Sequence, residues 1–256
     1  MDGSARIVIG AGPERSALEV CRSVPPFSIR RCGSRVLVGA SAAGPVGGDD
    51  LRLDVVVRSG ARADIGSVGA MSIHPGPTGR ASSLTTRLDV GDGACLDWFP
   101  EPAVSIAGSD HLTRTIVDLA NDAVCRIVEE VSLGRSREPP GRLRLRLDVT
   151  RAGRPLVRHS ETFGPGSGDH AIPGAGSTVS VGRARHVLSA VLVGVRAGDS
   201  RTVVSDACRA AWLPMTPDAV VVLAVGDDRP IVRSTVSHLA PEPVSYTHLD
   251  AADDQW

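Results

Sequence analysis

Apolar and polar side chains alternate strictly over residues 142–149 of this sequence. Leu143, Leu145, Leu147 and Val149 are interleaved with three arginines and an aspartate. Because successive side chains of a β-strand point to opposite faces, this period of two places the aliphatic residues on one face and the charges on the other. Such a strand buries its apolar face only in a sheet that packs against a second layer. The sequence is therefore expected to form packed β-sheets with one face open to water.

Short segments bounded by glycine, proline and aspartate occur along most of the chain. They predict further strands at residues 35–38, 51–57, 83–90, 94–99, 112–119, 124–133, 155–163 and 220–225. Residues 118–130 also fit a helix, but valine, isoleucine and cysteine at the apolar positions favour strands. For residues 183–193 the apolar run is too continuous for the period to decide between the two.

Three other segments are assigned from their turn and cap residues. Gly91-Asp92-Gly93 predicts a hairpin between the strands on either side. Residues 67–81, with their prolines and glycines, are expected to form a surface loop. Asp228 followed by Pro230 predicts the start of a helix that runs to Leu239. The predicted fold class is mainly β, a single domain of many short strands in packed sheets, with one or two helices toward the C-terminus.

The composition limits what the core can contain. Hydrophobic residues make up 42% of the 256 residues but aromatic residues only 3%, so valine, leucine, alanine and isoleucine must form the core. A chain of this length suits one all-β domain, which is expected over residues 1–243. Residues 244–256 follow a Pro-Glu-Pro segment and contain the only tyrosine. They are expected to be a disordered or non-native tail.

Charge and cysteine usage exclude several classes of protein. The formal net charge of -1 gives no sign of nucleic-acid binding. All 28 positive residues are arginine, so the lysine of a Walker A motif is missing and the chain is not itself a GTPase. Five scattered cysteines without a C-x-x-C pair argue against a disulfide framework or a closed zinc site. The N-terminus does not resemble a signal peptide, and no run approaches the roughly 18 apolar residues of a membrane helix. A cytoplasmic protein is expected.

Hydrolytic catalysis is the one enzymatic alternative that the residue types allow. Ser109, Asp110 and His111 are adjacent, but adjacency in sequence does not make a catalytic triad, and no G-x-S-x-G nucleophile elbow is present. A hydrolase that uses Asp97, Glu101 or His111 is therefore kept as the third reading of the sequence.

Five motifs follow one another between residues 39 and 239. Residues 45–51 form a glycine and aspartate turn before a strand, and the Gly60-Ala61-Arg62-Ala63 element comes after it. A Leu-x-Trp-x-Pro-x-Pro turn then begins at Leu96, an apolar-acidic run ends in Leu133-Gly134-Arg135, and an alternating strand is closed by Gly153-Arg154-Pro155-Leu156. Each motif alone is weak, but their order resembles the urease accessory protein D family (UreD, also called UreH).

The resemblance implies a mainly β, helix-poor scaffold with a solvent-filled tunnel. Members of the family bind the urease apoprotein on one side and a helical urease accessory protein on the other, which docks a nickel-carrying GTPase. By this resemblance the chain is a chaperone for nickel insertion rather than an enzyme, with no tightly bound cofactor and only transient contacts to Ni²⁺. The alternative from a different class is a β-rich adaptor that binds some other protein and has no metal-transfer role.

The resemblance also assigns candidate site residues. The expected transient tunnel ligands of Ni²⁺ are Asp97, Glu101, His159 and Glu161, and Asp49 or Asp50 falls in a further matching element. Glu161 is preferred because His159 lies two residues before it on the same strand face. A surface carboxylate paired with an arginine is the alternative for Glu161.

Partner contacts are assigned by analogy only. Arg135 and Arg137, beside Glu138, suit an interface with an acidic partner, and a solvated loop is the alternative. Residues 183–193 and the helix that ends at Leu239 are candidate docking segments for the helical accessory protein. Residues 67–81 and Pro139-Pro140 depart from the family pattern.

Overall fold

The computed structural model describes residues 1–13, 15–165 and 184–240. The described chain is mainly β with one C-terminal helix, α1, at Arg229–Leu239, as the sequence predicted. The Asp228 side chain caps this helix by accepting a hydrogen bond from the Ile231 amide at 3.1 Å. The expected tail at 244–256 and most of the glycine-rich stretch at 164–176 lie outside the described residues.

Two sheets form the body of the structure. Sheet A has seven strands, namely β1 (Asp2–Gly10), β2 (Ala17–Ser23), β5 (Asp50–Val57), β8 (Ser82–Val90), β11 (Asp110–Leu119), β13 (Arg142–Arg151) and β14 (Arg154–Phe163). Sheet B has eleven strands, namely β3 (Phe27–Cys32), β4 (Arg35–Ala40), β6 (Arg62–Ser67), β7 (Met71–Ile73), β9 (Cys95–Phe99), β10 (Ala103–Ser105), β12 (Val124–Ser132), β15 (His186–Val193), β16 (Arg201–Val204), β17 (Cys208–Thr216) and β18 (Ala219–Gly226).

The middle of the chain coils between the two sheets. Strands β5, β8, β11 and β13 pair in parallel in sheet A. The strands that follow the first three of them, β6, β9 and β12, pair in parallel in sheet B. Each turn of the coil therefore adds one strand to each layer. At one side of the coil, antiparallel strands extend both layers, with β14 after β13 in sheet A and β15, β18, β17 and β16 beyond β12 in sheet B. At the other side, β1 pairs in parallel with β5 and β4 pairs in parallel with β6.

A buried alanine marks each passage from sheet A to sheet B. Ala61, Ala94 and Ala123 precede β6, β9 and β12, and each is at most 1% exposed. Neighbouring passages are hydrogen-bonded to one another, because the amide of Cys95 donates to the Ala61 carbonyl and the amide of Val124 donates to the Ala94 carbonyl, both at 2.9 Å. A small side chain at these positions lets the stacked turns approach closely.

Enlarging the central alanine of this stack is expected to destabilise the fold. Ala94→Leu forces a larger side chain into a fully packed turn, which costs about 1–3 kcal/mol of unfolding free energy. Urea denaturation followed by circular dichroism measures the change. Ala17→Leu on the exposed face of edge strand β2 is the matched control and should leave the midpoint within error. Equal midpoints for the two variants would show that the stack tolerates bulk.

The structure corrects two assignments made from the sequence. The expected hairpin at Gly91-Asp92-Gly93 is wrong, because β8 pairs with β5 and β11 whereas β9 pairs with β6 and β12 in the other sheet. Residues 67–81 are not entirely a surface loop, since they contain β7, whose Ile73 is completely buried. The segment that the period left undecided, residues 183–193, contributes strand β15, and residues 118–130 form the end of β11, a turn and most of β12.

Three clusters of buried apolar side chains hold the layers together. The largest lies between the sheets and includes Leu88 and Leu147 of sheet A with Ile127 of sheet B. A smaller one, also between the sheets, contains Leu143, Leu145 and Val131. The third lies on the other side of sheet B, where Val232, Val236 and Leu239 of α1 pack against it. In the described residues, no helix is long and apolar enough to cross a membrane.

Candidate functional site

A cavity of about 560 Å³ lies between the two sheets. Aliphatic side chains such as Leu53 and Leu145 from sheet A form much of its wall, and Trp98 contributes from sheet B. Its polar lining includes the threonine hydroxyls of sheet A and the side chain of Glu129. Mostly apolar walls with a few convergent polar groups are typical of functional cavities.

Glu129 is placed in this cavity by the alternation of β12. Cys125, Ile127 and Val131 belong to the clusters between the sheets, and Glu129 lies between the last two on the same strand face. Its carboxylate accepts a hydrogen bond from the Thr115 hydroxyl of β11. The side chain is half-buried because it lines the cavity, yet it lies deep between the layers, and this burial raises its pKa above the ordinary value. The sequence analysis did not identify Glu129.

His159 and Glu161 form a pair on the inward face of β14. Val157 and Phe163 on the same face are buried, and His159 Nε2 lies 3.2 Å from Glu161 Oε1. The hydrogen bond to Glu161 raises the pKa of His159, although burial opposes the shift, and the charges of Glu161 and Glu129 raise it further. The influence of Glu129 means that the two predicted residues and the unpredicted one share one polar neighbourhood.

Glu101 also lines the cavity, from the segment between β9 and β10 that lies beside β12 in sheet B. It lies between Pro100 and Pro102 in the break that separates β9 from β10. Its carboxylate is 2.5 Å from Nη2 of Arg229 in α1. The structure thus brings Glu101 to the cavity, paired with an arginine.

Asp97 lies on the outer face of sheet B, away from the cavity. Its neighbours Leu96 and Trp98 point inward and are buried, so the alternation of β9 turns Asp97 outward. Both of its carboxylate oxygens contact the guanidinium of Arg126 at 2.5 Å. This pair contributes to a raised pKa of Arg126. Sheet B therefore separates Asp97 from Glu129.

Asp49, the other carboxylate from a matching element, is nearly buried and has partners for both oxygens. Oδ1 lies 2.7 Å from the amino group of Met1, and Oδ2 accepts from the Val46 amide at 2.9 Å. Burial opposes its ionisation, but these hydrogen bonds hold its pKa below the ordinary value.

Arg135 and Arg137 lie in the turn between β12 and β13. Nε of Arg135 is 2.9 Å from Glu138, whose side chain is folded back onto the same turn. Arg185 fixes the turn by donating to the carbonyls of Arg135 and Glu138 at 2.7 and 2.9 Å. Both predicted arginines are exposed, as an interface would require, and their role in binding stays a prediction.

The residues considered for hydrolysis are not assembled into a triad. Asp110 faces outward, where Arg144 donates to it at 3.0 Å, while His111 faces inward and is completely buried. His111 Nδ1 lies 2.7 Å from the hydroxyl of Ser82, and the Ser109 hydroxyl donates to the Ile106 carbonyl instead. Neither Ser82 nor His111 lines the cavity. Ser109, Asp110 and His111 therefore do not form a catalytic triad.

The cavity lining offers the carboxylates of Glu101 and Glu129, whereas His159 and Glu161 lie nearby on β14 and are not part of the lining. Within the described parts of the chain, no three His, Cys, Asp or Glu side chains converge as a metal-binding group. Single carboxylates and an imidazole in succession suit brief contacts with a divalent ion, because an ion that must leave again has to bind weakly at each point.

Comparisons with known proteins agree with the order of motifs. The sequence profile of the family described as UreD urease accessory protein matches residues 1–241. The urease accessory protein UreD of Parafrankia sp. is 32% identical over 92% of this chain and 86% of its own length. UreD 3 of Streptomyces griseus is 35% identical over 90% of this chain and 92% of its own length, and UreD of Streptomyces coelicolor is 35% identical over 88% and 90%. The chain belongs to the UreD urease accessory protein family.

Proposed function

We propose that this protein is a non-catalytic scaffold for the insertion of nickel into the urease apoprotein, and that Ni²⁺ passes through the cavity between its sheets. It acts in the cytoplasm, in complex with a helical urease accessory protein and a nickel-carrying GTPase. Family membership supports the role in urease maturation. The observation that carries the route is the inward-facing carboxylate of Glu129, in a mainly apolar cavity and within electrostatic reach of the His159–Glu161 pair.

The proposed route uses ligands that differ in strength and position. Glu101 lines the cavity beside β12, Glu129 faces its interior, and His159 with Glu161 lies at the edge strand β14. Mostly apolar walls between these points offer few further ligands, so the ion is not trapped on the way. Asp97 is not part of this route as we propose it, because sheet B lies between it and the cavity.

Reconstitution tests the proposed function. Apo-urease, the helical accessory protein, the GTPase, Ni²⁺ and GTP are mixed with or without this protein, and urease activity is measured. Activation is expected only when the protein is present. Equal activity in both mixtures would reject the nickel-insertion role. Binding of the apo-urease without any gain in activity would instead favour the adaptor without a metal role.

Replacing Glu161 is expected to slow nickel delivery without breaking the complex. Glu161→Ala removes one carboxylate and the acceptor that holds the His159 imidazole. In the reconstituted mixture we expect activation to fall severalfold, while size-exclusion chromatography shows the same complex. Glu19→Ala, which removes an exposed carboxylate paired with Arg58, is the matched control. Unchanged activation by Glu161→Ala would remove Glu161 from the route.

We infer that residues 1–243 form one domain. Sheet B supports this inference, because it contributes to both clusters between the sheets and to the cluster under α1. Limited proteolysis of the full chain tests it, with a resistant fragment ending close to residue 243 as the expected product. A stable cut inside either sheet would divide the domain.

A further inference from the structure

Sheet B is interrupted where β9 gives way to β10. Pro100 and Pro102 lack the amide hydrogen that a strand donates to its neighbour, and β10 begins only at Ala103. The amide of Glu101, between the prolines, donates to the Ser67 hydroxyl at 2.7 Å. The segment is therefore tied toward β6, and the ladder between β9 and β12 ends at this point.

Residues of this interruption line the cavity, Glu101 among them. Glu130 alternates with the inward-facing Glu129 and Val131, so its side chain points to the side of sheet B on which α1 packs. Glu130 also belongs to the lining of the cavity. The cavity lining and the α1 side of sheet B therefore meet at Glu101 and Glu130.

Helix α1 carries two guanidinium groups onto these carboxylates. Arg229 lies 2.5 Å from Glu101 and 2.9 Å from Glu130, and Arg233 lies 2.7 Å from Glu130. The Glu130 side chain is only 5% exposed. Burial opposes the charge of Arg229, yet the attraction of the two carboxylates still raises its pKa. Both arginines are therefore charged groups held against two residues of the cavity lining.

On the basis of the proposed function, we propose that the cavity opens toward α1 at Glu101 and Glu130, and that Arg229 and Arg233 form a latch that closes this end. While α1 is docked, their positive charges repel a divalent cation and occupy the oxygens that would bind it. Displacement of α1 frees Glu101 and Glu130 together and opens a carboxylate-lined end. A partner surface rich in carboxylates opens the latch by competing for the two guanidiniums.

Three buried apolar side chains and a few polar contacts hold α1 on the fold. The helix has eleven residues, of which three apolar side chains are buried against the sheet. Its C-terminal end is tied by Arg201, which donates to the Leu239 carbonyl at 3.0 Å. The ion pairs of Arg229 and Arg233 therefore account for a large part of the described polar contacts between α1 and the rest of the fold.

Equilibrium dialysis of the full-length protein against Ni²⁺ tests the latch without any urease component. R229Q/R233Q is expected to bind Ni²⁺ about tenfold more tightly than the wild type, and the gain should vanish when Glu101→Gln is added. R229K keeps the positive charge and should resemble the wild type, as should the exposed control Arg209→Gln. Wild-type affinity in a folded R229Q/R233Q variant would overturn the proposal.

A second measurement covers the case in which the double variant does not fold. Hydrogen exchange of residues 229–239 in the wild-type protein is followed before and after addition of the helical accessory protein and the nickel-loaded GTPase. Faster exchange of α1 amides in the complex is expected. Slower or equal exchange would show that α1 stays docked and would overturn the latch, whereas failure of the reconstitution assay alone would reject only the nickel-insertion role.

Discussion

Replacing Glu129 with glutamine is expected to reduce nickel delivery to apo-urease by about tenfold or more, as is usual when a group that supports metal transfer is neutralised. Glutamine keeps the shape of the side chain and an oxygen to accept the Thr115 hydrogen bond, so only the charge is lost. A neutral amide oxygen is a weaker ligand for Ni²⁺ than a carboxylate and attracts the ion less. The rate of urease activation in the reconstituted mixture measures the effect.

The stability of the same variant separates a functional role from a structural one. Burial raises the pKa of Glu129, so the folded state loses stability as the pH rises above 4.5, where the unfolded chain ionises freely. Glu129→Gln removes this loss and should leave the melting temperature at pH 7.5 unchanged or higher. Glu19→Gln, at an exposed acid paired with Arg58, is the control for both assays. Normal activation by Glu129→Gln would remove the carboxylate from the route.

Alternation decided much of what the sequence could predict. The aliphatic residues of β13 are buried as the period of two requires, and the caps of α1 lie where Asp228 and Pro230 placed them. Periodicity reports on which face of a strand is buried, and this is a local property. It does not report on which strand lies beside it, because pairing partners are set by contacts between distant parts of the chain.

The wrong hairpin prediction in the coil between the sheets follows from this limitation. Gly91-Asp92-Gly93 carries the glycines of a hairpin, and Gly93 does adopt a positive φ of 61°. A glycine with positive φ is equally suited to a turn that leads from one sheet to the other. The signal that distinguishes the two was the recurrence of a strand, a polar turn, an alanine and a second strand at Ala61, Ala94 and Ala123, spaced about 30 residues apart as in repeat folds.

Among the site residues too, some were predicted correctly from the sequence and others were missed. His159 and Glu161 were placed on one face by their spacing, and the structure brings them within 3.2 Å. The parity rule that joined them could also have turned Asp97 outward, because its neighbours Leu96 and Trp98 are apolar. It could have identified Glu129 as well, as an acid at an inward position between Ile127 and Val131. An acid among apolar residues of one face is the sequence signal for a polar group inside a sheet sandwich.

Acidification is expected to destabilise the protein through His111. Burial, helped by the charge of Arg144, lowers the pKa of this imidazole from 6.5 to about 4. Its Nε2 atom is buried and has no hydrogen-bond partner among the described residues. As the pH falls below 6.5, the unfolded chain takes up a proton that the folded chain refuses until about pH 4. The fold therefore loses about 3 kcal/mol of stability across this range from His111 alone.

The variant His111→Leu isolates this contribution from the carboxylates that also titrate in acid. Leucine cannot take up a proton, and the Ser82 hydroxyl keeps the Asp110 carbonyl as an acceptor at 3.5 Å. Urea unfolding at pH 7.5 and pH 4.5 should show a stability difference that is smaller in the variant by about 2.5 kcal/mol, because pH 4.5 lies above the folded-state pKa of about 4. His238→Leu, at an exposed position of α1, is the matched control and should leave the difference as in the wild type. If His111→Leu lost as much stability in acid as the wild type, protonation of His111 would not contribute to acid unfolding. The imidazole would then have to gain a charge partner inside the fold.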